Sequence, residues 1–337
     1  MKGLKILVTG GAGFIGSNFI HYILKKYPND RIINLDKLTY CGNLENLKDV
    51  ENNPRYKFIR GDICDSAAVN NLVAREKPEA IINFAAQTHV DRSILDPFEF
   101  VKTNVLGVHV LLEAARKYNI KKYVQISTDE VYGSVKKGKS KETDNLDPSS
   151  PYSAAKTSAD LLTLSYFKSF GLPVLITRSS NNYGFYQYPE KLIPLFITNL
   201  LENKKVPVYG AGKNVRDWLY VLDNCSGIDL VLRKGKIGEI YNIGGDCEKE
   251  NIEITKIILR ALGKTEQSIE YVKDRPAHDL RYALDSSKIK KLGWRPKYKF
   301  EKAIQETIKW YEENQDWWKR IKGGEYLEYY KRQYLKS

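Results

Sequence analysis

Cysteine is scarce. The 337-residue chain has four, Cys41, Cys64, Cys225 and Cys247, far apart, with no C-x-x-C pair and no histidine at ligand spacing. This excludes a disulfide framework and a zinc site, so no metal is expected. It also fits a reducing compartment, and a cytoplasmic location is expected. No apolar run approaches the roughly 18–20 residues needed to cross a bilayer, so no membrane partner is expected. The segment from Met1 to Val8 enters a glycine-rich turn directly and has no signal-peptide cleavage pattern. Internal repeats and low-complexity tracts are absent. Disorder is excluded by composition, since 42% hydrophobic and 28% charged residues can form a buried core. The length fits one large or two ordinary domains.

What is present in excess is positive charge. Lysine and arginine total 54 against 41 acidic residues, a net charge of +13. The basic residues form scattered pairs, such as Lys25-Lys26, Lys121-Lys122 and Lys204-Lys205. They lack the clustered footprint of a nucleic-acid binder, so a solvated surface and no nucleic-acid partner are expected.

The first half of the chain alternates. Apolar runs over 4–8, 31–36, 57–60, 80–85 and 123–127 read as strands, and 14–27, 66–76 and 98–118 read as helices. A helix over 151–170 and a strand over 174–178 continue the rhythm. Strands that are nearly all Val, Ile and Leu suit a parallel sheet covered on both faces. The expected fold is therefore α/β, a doubly wound parallel sheet of the Rossmann type over residues 1–180. After about Asn181 prolines interrupt the pattern, and a smaller C-terminal lobe over 181–337 is expected to bind substrate. A strand over 239–243 is placed as returning to the main sheet. The aromatic tail, with Trp317, Trp318, Tyr326, Tyr329, Tyr330 and Tyr334, is expected to pack on that lobe.

The stretch from Thr9 to Gly16 is T-G-G-A-G-F-I-G and sits where the first strand turns into the first helix. Gly10 permits the turn, Gly13 admits a pyrophosphate close to the backbone, and Gly16 allows tight helix–strand packing. The helix start offers unpaired N–H groups to the phosphates. Asp36 ends the second strand 20 residues beyond Gly16; an acid there suits a ribose 2′-hydroxyl and repels a 2′-phosphate, so NAD is expected over NADP. Asp62 and Ile63, at the end of the third strand, are placed beside the adenine.

Tyr152 and Lys156 lie four apart at the start of the 151–170 helix and so share one face. A nearby ammonium and the positive charge of a bound nicotinamide are expected to lower the phenol pKa, making tyrosinate a base for a sugar hydroxyl. After the strand ending in Ser127 come Thr128, Asp129 and Glu130, at the edge where such sheets bind ligands. Two adjacent carboxyls exceed the needs of alcohol oxidation. Repulsion and desolvation can keep one protonated and the other ionised, an acid and a base side by side.

With these residues in hand, the sequence resembles the extended short-chain dehydrogenase/reductases, and among them the dTDP-glucose 4,6-dehydratases. The likeness covers nearly the whole chain and includes Asp36-Lys-Leu-Thr-Tyr-Cys-Gly-Asn43, Ala85-Ala-Gln-Thr-His-Val-Asp-Arg-Ser93 and Ser127-Thr-Asp-Glu-Val-Tyr-Gly133. It continues through Pro151-Tyr-Ser-Ala-Ala-Lys156, Arg178-Ser-Ser-Asn-Asn-Tyr-Gly184, Asn214-Val-Arg-Asp-Trp218 and Asp274-Arg-Pro-Ala-His-Asp279. Related epimerases share the glycine turn and the Tyr/Lys pair but usually lack the Asp-Glu step.

The resemblance implies that Tyr152, helped by Thr128 and Lys156, deprotonates the glucose 4-hydroxyl as hydride passes to NAD. Glu130 then removes the C5 proton while Asp129 protonates the departing C6 hydroxyl, and the hydride returns to C6 as a proton returns to C5. NAD is regenerated each turnover and stays bound. To the cofactor set the resemblance adds Phe14, Ile15, Lys37, Thr39, Ala85 and Ala86. For the nucleotide sugar it implies Gln87, Asn181, Asn182, Arg216, Asn251, Arg275 and His278 near sugar and diphosphate, with Glu190, Lys191 and Tyr209 around the base. A homodimer pairing the helices around 103–115 and 153–167 is also implied.

Two positions depart from the family pattern. Gln87 stands where Glu is usual, although dehydratases of GDP-mannose also carry Gln there, and Phe185 stands where Pro is usual. The alternatives are a 4,6-dehydratase of UDP-glucose, a nucleotide-sugar 4-epimerase, which Asp129 and Glu130 argue against, and a catalytically silent binding protein.

Overall fold

Among the residues described by a computed structural model, 3–274, 278–323 and 325–334, seven parallel strands form the central sheet. They are β1 (Lys5–Thr9), β2 (Arg31–Asp36), β3 (Tyr56–Arg60), β4 (Ala80–Asn83), β5 (Lys122–Thr128), β6 (Val174–Ser179) and β7 (Ile240–Ile243). Their spatial order is β3-β2-β1-β4-β5-β6-β7, so the winding reverses between β1 and β4. That reversal opens a crevice at the carboxyl ends of the strands. The late strand β7 pairs with β6, Ile240 beside Ile176 and Ile243 beside Ser179.

Strand parity explains the layers. Ile6 and Val8 face a core built with Phe19 and Ile23 of helix Phe14–Lys26 and Ile228 and Val231 of helix Val221–Lys234. Leu7 faces the other core, with Val69 and Leu72 of helix Ser66–Glu76, Leu111 of Gly107–Lys117 and Ala159 of Pro151–Phe170. Strands buried on both sides are largely apolar, and polar members such as Asn34 and Gln125 are hydrogen-bonded inside, to Tyr56 and Asn83.

The helix expected over 98–118 is broken. The structure has Pro97–Val101, a π-helical turn at Lys102–Leu106, and Gly107–Lys117. The π turn carries Asn104, whose Oδ1 accepts from Gln87 N at 2.8 Å and whose Nδ2 donates to Gln87 O at 2.9 Å. Such turns recur at functional sites because they re-aim one side chain without ending the helix.

Beyond β6 lie two small sheets. One joins Glu248–Glu250, Val215–Tyr220 and Asn181–Tyr183, and the other joins Ile269–Val272 and Val206–Tyr209. Helices Leu192–Leu201, Asn251–Ala261 and Phe300–Glu313 cover them over a core that includes Phe196, Ile254 and Ile304. Trp317, Trp318, Tyr326 and Tyr329 of the tail are buried; the side chain of Tyr334 lies outside the described residues.

One ion pair is wholly inside. Arg178 Nε donates to Asp160 Oδ2 at 2.9 Å, and both side chains are at most 2% exposed. Arg178 also donates to the Tyr132 hydroxyl, 2.8 Å, which donates to Asn242 Oδ1, 2.8 Å. Removing one partner of a buried pair strands the other charge in low dielectric. Asp160→Ala is therefore expected to cost about 3–5 kcal/mol, measured as a shift in the urea midpoint; a loss under about 1 kcal/mol, the surface-pair value, contradicts this account.

Candidate active site

The site begins at the reversal point. Thr9 Oγ1 donates to Asn83 Oδ1 at 2.6 Å, pinning β1 to β4 just where their chains part. Gly10 takes φ +67°, and a Cβ there would lie 2.6 Å from the Ala85 backbone. At Gly16 a Cβ would fall 2.4 Å from Gly10 O. Gly13 differs: a Cβ would meet only Gly10 O, at an ordinary 3.4 Å, so the protein leaves that side open. Gly13 is also the N-cap of helix Phe14–Lys26 and gives it no side-chain cap, which leaves first-turn N–H groups for a ligand. A glycine facing open cleft beside an uncapped helix start fits a dinucleotide pyrophosphate.

Asp36 closes this end. It is 7% exposed, and its carboxylate accepts from Ala12 N at 2.9 Å and Leu38 N at 2.8 Å. Burial raises its pKa against those two bonds. Lys37 pairs with Asp62 at 2.8 Å. Gly10, Gly13, Phe14, Ile15, Gly16, Asp36, Lys37, Thr39, Asp62, Ile63, Ala85 and Ala86 all line one cleft. Tyr152, Lys156, Thr128, Asp129 and Glu130 line it too.

The helix carrying Tyr152 and Lys156 has a strong start. Ser150 and Ser153 cap one another, Ser153 N to Ser150 Oγ at 3.1 Å and Ser150 N to Ser153 Oγ at 3.0 Å, with Pro151 in the first turn. This fixes Tyr152 and Lys156 on successive turns. Lys156 Nζ donates to the Ile126 carbonyl of β5 at 2.5 Å. Burial lowers the Lys156 pKa to about 8, with Asp160 opposing.

The expected lowering of the Tyr152 pKa rests on the lysine and the nicotinamide together, and the protein groups around the phenol act on balance the other way. Burial pushes the phenol up, the Glu130 carboxylate adds to this, and a hydrogen bond with Thr128 pulls the other way. Burial is the larger cause, with negative charge from Glu130 and Asp129 added to it, while the Lys156 ammonium is directed at a strand carbonyl.

Thr128 ends β5 and caps a short 3-10 turn, Asp129–Tyr132, by accepting from Glu130 N at 3.3 Å. Its hydroxyl donates to Asp129 Oδ1 at 3.2 Å, while Asp129 Oδ2 is buried with no partner. Burial first, then Glu130 and Asp217, raise the Asp129 pKa well above the carboxylate range, against Arg216 and Thr128. Glu130 lines both this cleft and a second one. Adjacent in sequence, the two carboxyls occupy unlike settings.

The second cleft adjoins the first, sharing Glu130, Asn181, Glu190 and Lys191, and is also lined by Tyr209, Arg216, Asn251 and His278. Gln87 and Asn182 line the first. Buried oxygens of Asn181, Asn182 and Asn251 have no protein partner, as befits groups that meet a polar ligand. Arg275 lies outside the described residues. The Glu190 carboxylate accepts from Tyr40 Oη at 2.7 Å and Arg92 Nε at 2.9 Å, so it is braced from two sides.

Asn104, Tyr40 and Arg92 were not singled out from the sequence as site residues. Their partners lie 17, 150 and 98 residues away, and no local spacing signals such contacts. Phe185 packs against Tyr220 and Trp310, centroids 6.1 and 5.9 Å apart. Its departure from the usual proline thus serves an aromatic cluster.

A family model described as GDP-mannose 4,6 dehydratase matches residues 7–307. The chain belongs to this family. Among its relatives, the dTDP-glucose 4,6-dehydratase of Escherichia coli is 48% identical, over 96% of this chain and 98% of its own length. The crystal structure of dTDP-glucose 4,6-dehydratase from Bacillus anthracis in complex with NAD is 52% identical, with a TM-score of 0.89 over 95% of this chain and all of that one. The Streptomyces venezuelae dTDP-glucose 4,6-dehydratase, with NAD bound, is 47% identical, with a TM-score of 0.93 over 94% of this chain and all of that one. In this 4,6-dehydratase-family chain the Asp129–Glu130 pair stands where the two clefts meet.

The buried lysine gives a signed prediction. Its native pKa, about 8, lies below the ordinary 10.5, so the native state loses its proton first as pH rises. Between those values the unfolded chain binds more protons, and stability rises with pH. Wild type should therefore gain unfolding free energy over Lys156→Met from the lower to the upper end of that window, by chemical denaturation. A constant difference contradicts the burial of an ammonium here.

Proposed function

We propose that this chain is an NAD-dependent dTDP-glucose 4,6-dehydratase, a hydro-lyase. The observation that carries this reading is the pair of carboxyls in unlike settings beside Tyr152 and Lys156, at the junction of a dinucleotide cradle and a second polar cleft. A dehydrogenase or epimerase needs the tyrosine and lysine; elimination of water also needs an acid and a base.

Gly10, Gly13, Phe14, Ile15 and Gly16 would hold the pyrophosphate of NAD and Asp36 a ribose. Lys37, Thr39, Asp62 and Ile63 would flank the adenosine, and Ala85, Ala86, Tyr152 and Lys156 the nicotinamide end. Bound there, NAD supplies the hydride acceptor for C4 and the donor for C6. Tyr152, bonded to Thr128, takes the proton of the 4-hydroxyl. Glu130 takes the C5 proton, which the 4-ketone has made acidic, and Asp129, kept protonated by burial, gives its proton to the leaving C6 hydroxyl; as C6 is reduced, a proton returns to C5. The product is a 4-keto-6-deoxy sugar.

The sugar, bound beside Gln87 and Thr128, points its diphosphate and base into the second cleft. Arg216, Asn181, Asn182, Asn251 and His278 meet the sugar and diphosphate; guanidinium–diphosphate pairing is charge-assisted and bidentate. Lys191 and Tyr209 approach the base, with Glu190 held in place by Tyr40 and Arg92. No described helix is long and apolar enough to cross a membrane, and the free thiols suit a cytoplasmic enzyme.

A homodimer belongs to the same reading. Phe98, Val101, Leu106, Leu161 and Phe170 are 48–70% exposed on the helices spanning 97–117 and 151–170. Covering such a patch with a second copy removes apolar area from water. Light scattering should give twice the mass of the 38.7 kDa chain, and Leu161→Glu should shift it toward one; a monomeric wild type contradicts the interface.

The function is tested by proton NMR of the purified protein with dTDP-glucose and UDP-glucose in deuterated water. A C6 methyl signal with deuterium at C5, faster from dTDP-glucose, is expected. A galacto-configured product without a methyl overturns the reading in favour of epimerisation. Glu130→Gln and Asp129→Asn should each lower the rate of methyl formation by about 10²–10⁴, and a change under about tenfold contradicts their roles.

A further inference from the structure

Helix Glu325–Tyr334 lies beyond the residues matched by the family model, 7–307, yet it reaches three segments that line the second cleft. Gln333 Nε2 donates to the Tyr209 hydroxyl at 2.8 Å, and that hydroxyl donates to Asp91 Oδ2 at 3.0 Å. Tyr329 Oη lies 3.4 Å from both Asp91 Oδ2 and His89 Nδ1. The Tyr329 ring covers the Arg92 guanidinium at 4.4 Å, with the Tyr40 ring on the same group at 4.0 Å. Arg92 in turn holds Glu190. One turn earlier, Tyr326 Oη donates to Pro189 O at 3.3 Å and its ring meets Tyr188, centroids 6.2 Å apart.

Apart from Tyr330, which accepts from Asn199 Nδ2 at 3.1 Å, and Tyr326, whose ring lies by Lys322, the contacts described fall on Tyr209, on the segment 89–92 and on the segment 188–190. A tyrosine hydroxyl fixed as donor on one side and acceptor on the other has its ring orientation fixed as well. Arg92, sandwiched between two aromatic faces, loses freedom in the same way.

We propose that helix Glu325–Tyr334 is a specificity element, in which Tyr329 and Gln333 act as positioning residues that set the shape of the nucleoside end of the cleft. This rests on the reading of the second cleft as the site of a nucleoside diphosphate. The helix touches no reacting atom, so its influence belongs in substrate affinity and base preference, not in turnover of bound substrate.

The test compares wild type, Tyr329→Phe and Gln333→Leu, all as full-length protein. Tyr329→Phe keeps the ring over Arg92 and removes only the hydroxyl, and Gln333→Leu removes only the bond to Tyr209. Each variant should raise KM for dTDP-glucose about 5- to 10-fold, the scale of one lost buried hydrogen bond, with kcat within about twofold. The preference for dTDP-glucose over UDP-glucose should shrink, calorimetric affinity for dTDP should fall in step, and bound NAD should stay at the wild-type level. Unchanged KM and unchanged preference in both variants overturn the proposal while leaving the dehydratase reading intact. A fall in kcat at constant KM overturns it too. Wild type that turns over neither nucleotide sugar overturns the underlying reading and this proposal with it.

Discussion

The bond from Lys156 to the Ile126 carbonyl, 2.5 Å long, ties the first turns of helix Pro151–Phe170 to the end of β5. Everything at the reacting end depends on that tie. β5 delivers Thr128, Asp129 and Glu130 at its carboxyl edge, and the helix delivers Tyr152 from its capped start. Without a fixed distance between helix and strand, four groups from two elements would not converge in one cleft. The cost is an ammonium held out of water. It is lessened by Asp160 on the next turn, which opposes the depression of the lysine pKa and is itself neutralised by Arg178.

Burial sets neighbouring acids apart. Asp129 has one oxygen on Thr128 and one in a buried position without a partner, where a charge is poorly solvated and a proton is retained. Glu130, next in sequence, faces the junction of the clefts. The 3-10 turn that begins at Thr128 produces this difference, since it directs consecutive side chains to different surroundings. The same desolvation raises Tyr152, so its phenol starts as an acid and needs positive charge nearby to act as a base. The nicotinium of a bound cofactor has the required sign.

Much of the site is written in short sequence intervals. The glycine turn, Asp36 at the end of the next strand, the Tyr152/Lys156 pair and the Thr128–Glu130 step all lie within one element or one connection, where spacing dictates geometry. The strands of the sheet were legible for the same reason, being rich in Val, Ile and Leu. What could not be read was made by residues distant in the chain. The π turn that lets Asn104 grip the Gln87 backbone replaced a continuous helix, because its cause is a contact across the cleft. Tyr40 and Arg92 meet on Glu190, and Gln333 meets Tyr209, over separations of 98 to 150 residues. At Tyr152, spacing placed the lysine correctly but not the direction in which its ammonium points.

The central claim is that burial holds Asp129 as a neutral acid, and its protonation can be observed directly. With carbon-13 in the aspartate carboxyls, the Asp129 resonance is assigned by its loss in Asp129→Asn and followed across neutral pH. The account predicts a carboxylic-acid shift that persists to neutrality. An Asp129 signal already at the carboxylate position in mildly acidic solution, where ordinary aspartates are ionised, would contradict the division of acid and base.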